Sequence, residues 1–188
     1  MPLSGLRFVM LFLFMGRAYA GFGVESYSPA DTYIIPQITY LCENTEPSED
    51  FYAELRNIND NGDKVFNMEI DLQDAQFTEK WTVKVVIDKW NNGGWDENFF
   101  IMDGLACEIA VKYSETIWEN FKKEMMPTIT DKCFAELGHY KLTDFKVNRT
   151  DINIPINIVG KYRVILKLFN GTGEEVLCQV FEAEVRKP

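Results

Sequence analysis

Cys42, Cys107, Cys133 and Cys178 are the residues of this 188-residue chain best placed to do chemistry of their own. Thiols either pair as disulfides in an oxidising compartment or bind a soft metal as thiolates. Metal binding wants closely spaced ligands, and the chain has no Cys-x-x-Cys and a single histidine, His139. The spacing predicts two disulfides and no metal site, with three pairings open. Other reactive combinations are thinner still. There is no Gly-x-Ser-x-Gly elbow, and no motif selects two of the 29 carboxylates as glycosidase acid and nucleophile. Asn91-Asn92-Gly93-Gly94 lacks the lysine, Ser/Thr and helix start of a phosphate loop. Asp60-Asn61-Gly62-Asp63 lacks the acidic spacing of a calcium loop. The expectation is a chain with no catalytic residues, no cofactor and no metal.

The first twenty residues explain which compartment the thiols meet. Arg7 gives a positive start, Phe8 to Met15 form a short apolar core, and Ala18-Tyr19-Ala20 is a small-x-small cleavage site. Residues 1–20 therefore read as a secretory signal peptide, leaving 21–188 as one domain. Removing Arg7 and Arg17 leaves 17 basic and 29 acidic residues, a balance of 17 − 29 = −12. That charge argues against nucleic acid and anionic membranes as partners. Two glycosylation sequons, Asn148-Arg149-Thr150 and Asn170-Gly171-Thr172, suit a secreted, extracellular protein.

The elements that must carry these residues are mostly strands. Residues 51–58 and 64–72 flank an Asn-Gly turn, a hairpin signal because both central residues tolerate positive φ. Trp81, Val83, Val85 and Ile87 alternate with polar Lys84 and Asp88, and a glycine-rich turn leads to a further strand at 99–102. Tyr140, Leu142, Phe145 and Val147 mark a strand bent near Thr143-Asp144. Tyr162, Val164, Leu166 and Leu168 mark another, and residues 175–185 a last. One helix is expected from Ser114 to Met125, opened by a Thr116/Glu119 capping box and closed by Pro127. Its stripe is Ile117, Trp118, Phe121 and Met125. The fold class is mainly β: an antiparallel sandwich or cup of about eight strands with one short helix and two disulfides. Apolar residues on so many strand faces leave two readings open, a filled core or a cup with an apolar inner wall.

The order of landmarks from Cys133 resembles a known family. Cys133 precedes Gly138-His139-Tyr140-Lys141-Leu142. Asp151-Ile152-Asn153-Ile154-Pro155 follows, then Gly160-Lys161-Tyr162-Arg163 and Leu177-Cys178. This order is similar to that of the insect chemosensory CheB proteins and the related ganglioside activator, over roughly residues 105–188. Two departures are plain: Phe134 stands where the family often has proline, and the activator carries eight cysteines against four here.

The resemblance implies the cup rather than the filled core. It implies Cys42–Cys178, a near-N-terminal cysteine reaching the last strand, which leaves Cys107 for Cys133. It also implies a secreted, non-catalytic protein that binds a lipid or hydrocarbon-like semiochemical in pheromone or taste detection. The candidate wall residues are Trp81, Val83, Val85, Tyr162, Val164 and Leu166, taken from the better alternating strands. Ile156 and Ile158 occupy the position of the activator's apolar mouth loop. The second function class is an extracellular interaction module that binds a sensory receptor or channel without a lipid.

Overall fold

Alternation of apolar and polar side chains becomes eight strands and one helix in the computed structural model, which describes residues 33–46, 50–58, 64–73, 76–146 and 159–187. In chain order these are β1 (Tyr33–Leu41), β2 (Phe51–Asn57), β3 (Lys64–Leu72), β4 (Thr82–Asn91) and β5 (Gly94–Leu105), then α1 (Ala106–Glu124), β6 (Gly138–Phe145), β7 (Gly160–Phe169) and β8 (Glu175–Arg186). The leader, the 60–63 turn, Asn148, Ile156 and Ile158 lie outside the described residues. Among the described residues no helix is long and apolar enough to cross a membrane.

Two antiparallel sheets result, one in the order β1-β8-β7-β4-β5 and one in the order β2-β3-β6. The expected bend in β6 is present: Asp144 takes φ 56°, and the register against β3 shifts between Phe66 and Met68. The amide of Asp144 donates to Asn67 Oδ1 at 2.8 Å, which gives the bulged backbone a partner. The β4–β5 hairpin turns through Asn92 and Gly93, both with positive φ, the combination a tight primed turn demands. β1 carries Pro36 and sits at the sheet edge, the place where a missing N–H breaks no central ladder.

The helix differs from expectation. It starts at Ala106, eight residues before Ser114, and Leu105 at its N-cap makes no side-chain capping bond. The first free amide, that of Ala106, donates instead to the Trp81 carbonyl at 2.8 Å, so a strand end does the work of a cap. Ser114 marks a break within the helix (φ −155°, ψ 43°), and its hydroxyl donates to the Ala110 carbonyl at 3.2 Å. Both disulfides are present. Cys42–Cys178 ties the end of β1 to β8, and Cys107–Cys133 ties the first turn of α1 to the segment before β6, each with Cα atoms 5.5 Å apart.

Asp88 is a surprise on the outer face. It is 1% exposed, covered by Arg163, whose Nε and Nη2 donate to Oδ2 at 2.9 and 2.7 Å. The amide of Asn98 donates to Oδ1 at 2.9 Å, and the guanidinium lies 4.8 Å over the Trp95 ring. Removing one member of such a buried pair leaves the other charge without compensation. Asp88→Ala is expected to cost about 3–5 kcal/mol and to lower Tm by roughly 10 °C, measured by thermal unfolding. A shift below about 2 °C would show that the pair contributes little.

Candidate functional site: an apolar cavity between the sheets

The space between the sheets is filled at one end and hollow at the other. Ile87, Leu142, Phe145, Tyr162 and Val185 are buried and pack the end where β7 begins and β8 finishes. Toward the opposite end lies a cavity of about 820 Å³, within the size range of small-molecule sites. Both readings of the apolar strand faces are thus present, each in its own half of the molecule.

Three walls surround the cavity. The five-stranded sheet contributes Val83 and Val85 from β4, Met102 from β5, and Val164, Leu166 and Leu168 from β7. The three-stranded sheet contributes Phe51, Phe66, Met68, Ile70 and Tyr140. The helix supplies Ile109, Tyr113, Trp118 and Phe121, the last two stacked at 5.6 Å between ring centres. Strand pleating explains the sheet walls, because residues two apart share a face. Ile109 and Tyr113 share a face of the helix before the break at Ser114, and Trp118 and Phe121 share one after it. The helix is held over the gap by its link to Trp81 and, at its far end, by paired 2.9 Å bonds between Met126 and Lys141.

Polar side chains collect at the mouth. Thr45 and Glu46 follow β1, Asp50 precedes β2, Asp71 is the last residue but one of β3, Asn170 and Glu174 lie in the β7–β8 turn, and Glu175 opens β8. The registers align these strand ends within each sheet, since Phe169 pairs with both Thr82 and Glu175 and Phe51 pairs with Ile70, and the facing of the two sheets brings both sets to one mouth. The disulfide fixes one side of the mouth, and the Cys42 amide donates to the Cys178 carbonyl at 3.2 Å. Asn170 stabilises its own turn: its Oδ1 accepts from the amides of Thr172 and Glu174 at 3.0 Å each and from the Thr172 hydroxyl at 2.7 Å. The sequon asparagine therefore stands at the rim of the cavity with its amide oxygen engaged.

Of the residues singled out from sequence, Trp81, Val83, Val85, Val164 and Leu166 line the cavity. Tyr162 does not. It is 3% exposed, in the filled half, with its ring 6.2 Å from that of Phe99. The strand ends that bracket the loop of Ile156 and Ile158, Phe145 and Gly160, stand at the filled end. The β3 wall was missed although its signal is clean: Phe66, Met68, Ile70 and Leu72 alternate strictly with Asn67, Glu69 and Asp71. Trp90 and Trp95 pack edge to face at 5.2 Å, away from the cavity.

Tyr140 is the buried titratable group of the wall. Its hydroxyl donates to the Glu136 carbonyl at 3.0 Å, and burial, with the nearby Glu136 charge, raises its pKa above the ordinary tyrosine value. A raised folded-state value means stabilisation that is complete below the unfolded pKa of about 10 and lost as pH climbs through the folded one. Ultraviolet alkaline titration of the folded protein should show a late-ionising tyrosine that Tyr140→Phe removes. An unchanged titration curve in that variant would contradict the assignment.

No family model and no curated protein matches the chain. Among solved structures, that of chicken MD-1 complexed with lipid IVa aligns over 81% of this chain and 96% of its own, at 11% identity and a TM-score of 0.31. A score that low carries neither fold nor ligand across. What the strands and cavity define by themselves is a two-sheet antiparallel cup, apolar inside and polar at its mouth.

Proposed function

We propose that this chain is a secreted, non-catalytic binding protein for a lipid or hydrocarbon-like semiochemical. The observation that carries the reading is the apolar cavity of about 820 Å³, closed at its filled end and open at a polar mouth. Trp81, Val83, Val85, Val164 and Leu166 would hold the ligand by burial, each methylene removed from water contributing ~0.8 kcal/mol. Ile156 and Ile158 are proposed to touch a membrane or the ligand tail, so serine at both should weaken ligand uptake or liposome binding. The two disulfides favour an oxidising compartment, in keeping with secretion. The role in pheromone or taste detection rests on the sequence resemblance to the CheB proteins alone. Delipidated full-length protein should take up a fluorescent fatty-acyl probe saturably and release it to unlabelled lipid. Absence of saturable uptake would overturn the reading.

One observation favours docking to a sensory receptor or channel as a second role. Across the outer face of the five-stranded sheet the register aligns Tyr40, Val180, Ile165, Val86 and Ile101 in one apolar row. Its two ends, Tyr40 and Ile101, are exposed. Between them Val86 and Ile165 are half-buried and Val180 is buried, so the apolar contact offered to another protein lies at the two edges of the sheet.

A further inference from the structure

We infer that the cavity takes an amphiphile whose head is uncharged or cationic, and that it discriminates against anionic lipids carrying the same tail. This rests on the reading of the cavity as a lipid site and concerns what its mouth does to the head. A tail filling the apolar walls places the head among Glu46, Asp50, Asp71, Glu174 and Glu175, with Thr45 and Asn170 between them. Among the described residues that line the cavity there is no lysine, arginine or histidine.

Among the described residues three basic side chains stand near the rim. Lys167 donates to Glu175 at 2.9 Å, His139 lies 3.8 Å from Asp71, and Lys80 packs beside Gly171. Glu46, Asp71, Glu174 and Glu175 alone outnumber Lys167, His139 and Lys80, so the mouth keeps a negative balance. Exposed carboxylates on an ordinary surface would be solvated and of no consequence. Here they ring the opening of an apolar cavity, where low-dielectric walls strengthen the field felt by a seated head. A sulfonate or phosphate seated there meets like charge and finds no cationic partner on the wall. A hydroxyl or amide head can hydrogen-bond to the same carboxylates, and a quaternary ammonium is attracted.

The test holds the tail constant and changes only the head. Oleoyl ethanolamide, oleoylcholine and N-oleoyltaurine compete for the delipidated full chain against a neutral fluorescent acyl probe. The two charged heads keep their charge across the working pH range. N-Oleoyltaurine is expected to bind about tenfold more weakly than the ethanolamide, and oleoylcholine at least as tightly, with the gap narrowing in high salt. In Asp71→Asn with Glu174→Gln, and separately in Glu46→Gln, the ratio of ethanolamide to taurine affinity should fall toward one. Equal affinities in the parent protein, or a ratio unmoved by both variants, would overturn the inference while leaving the lipid site intact. Failure of all three heads to bind would sink the lipid site itself.

Discussion

Val164→Trp with Leu166→Trp should abolish lipid uptake while leaving the protein folded. Both side chains lie on β7 and face the cavity, so the added indoles grow into empty space rather than into packed core. In a close-packed interior the same exchanges would force rotamers and backbone to shift, at a cost of roughly 1–3 kcal/mol each. A cavity of about 820 Å³ removes most of that penalty. The ligand then loses room for its tail. If the two indoles displace about four methylenes, the loss is ~3 kcal/mol, or more than a hundredfold in affinity. Probe titration alongside thermal unfolding separates the outcomes. Lost uptake at an unchanged or higher Tm is the expected pair. Retained uptake would mean that the ligand lies elsewhere.

The second large effect concerns Cys42–Cys178. The bridge spans a sequence separation of 136, against 26 for Cys107–Cys133. The chain-entropy argument assigns ~5 kcal/mol to the long bridge and ~3.5 kcal/mol to the short one. Since domains of this size are stable by only about 5–15 kcal/mol, the double variant Cys42→Ala/Cys178→Ala should be close to unfolded at body temperature. Denaturant titration of that variant and of Cys107→Ala/Cys133→Ala would measure both. The long-bridge variant should be the less stable of the two. It should also lose ligand beyond its loss of stability, because the freed segment holds Thr45 and Glu46 at the mouth. The reverse order of stability would show that local strain or packing, not loop closure, governs these bridges.

Six of the eight strands stand near where alternation or the Asn-Gly hairpin signal placed them, because a half-buried strand must repeat every second residue and a tight turn needs residues that tolerate positive φ. β1 escaped because Pro36 interrupts its run, and only an edge position makes that proline acceptable. β5 was legible for four residues of its twelve. Its outward side mixes Glu97 and Asp103 with exposed Ile101 and Leu105, and Asn98 at φ 58° breaks the alternation before Phe99, so no clean period shows. The first half of the helix was missed for another reason. Its start is satisfied by the Trp81 carbonyl, a partner twenty-five residues away that no local motif can announce.

The site divides the same way. Val83, Val85, Val164 and Leu166 could be found because inward-facing positions on alternating strands are readable. That they face a hollow while Tyr162 on the same strand faces packed side chains depends on how two sheets and a helix diverge. Only the assembled fold specifies that distance. The five carboxylates of the mouth lie at four separate strand ends, from residue 46 to residue 175, and the registers within each sheet and the facing of the two sheets bring them together.

Native mass spectrometry of the full chain from secreting eukaryotic cells, before and after denaturation, tests the central claim most directly. The account predicts excess mass, lost on unfolding, that corresponds to a lipid without a negatively charged head. Protein with no such mass, which also fails to take up any added acyl lipid after delipidation, would contradict it.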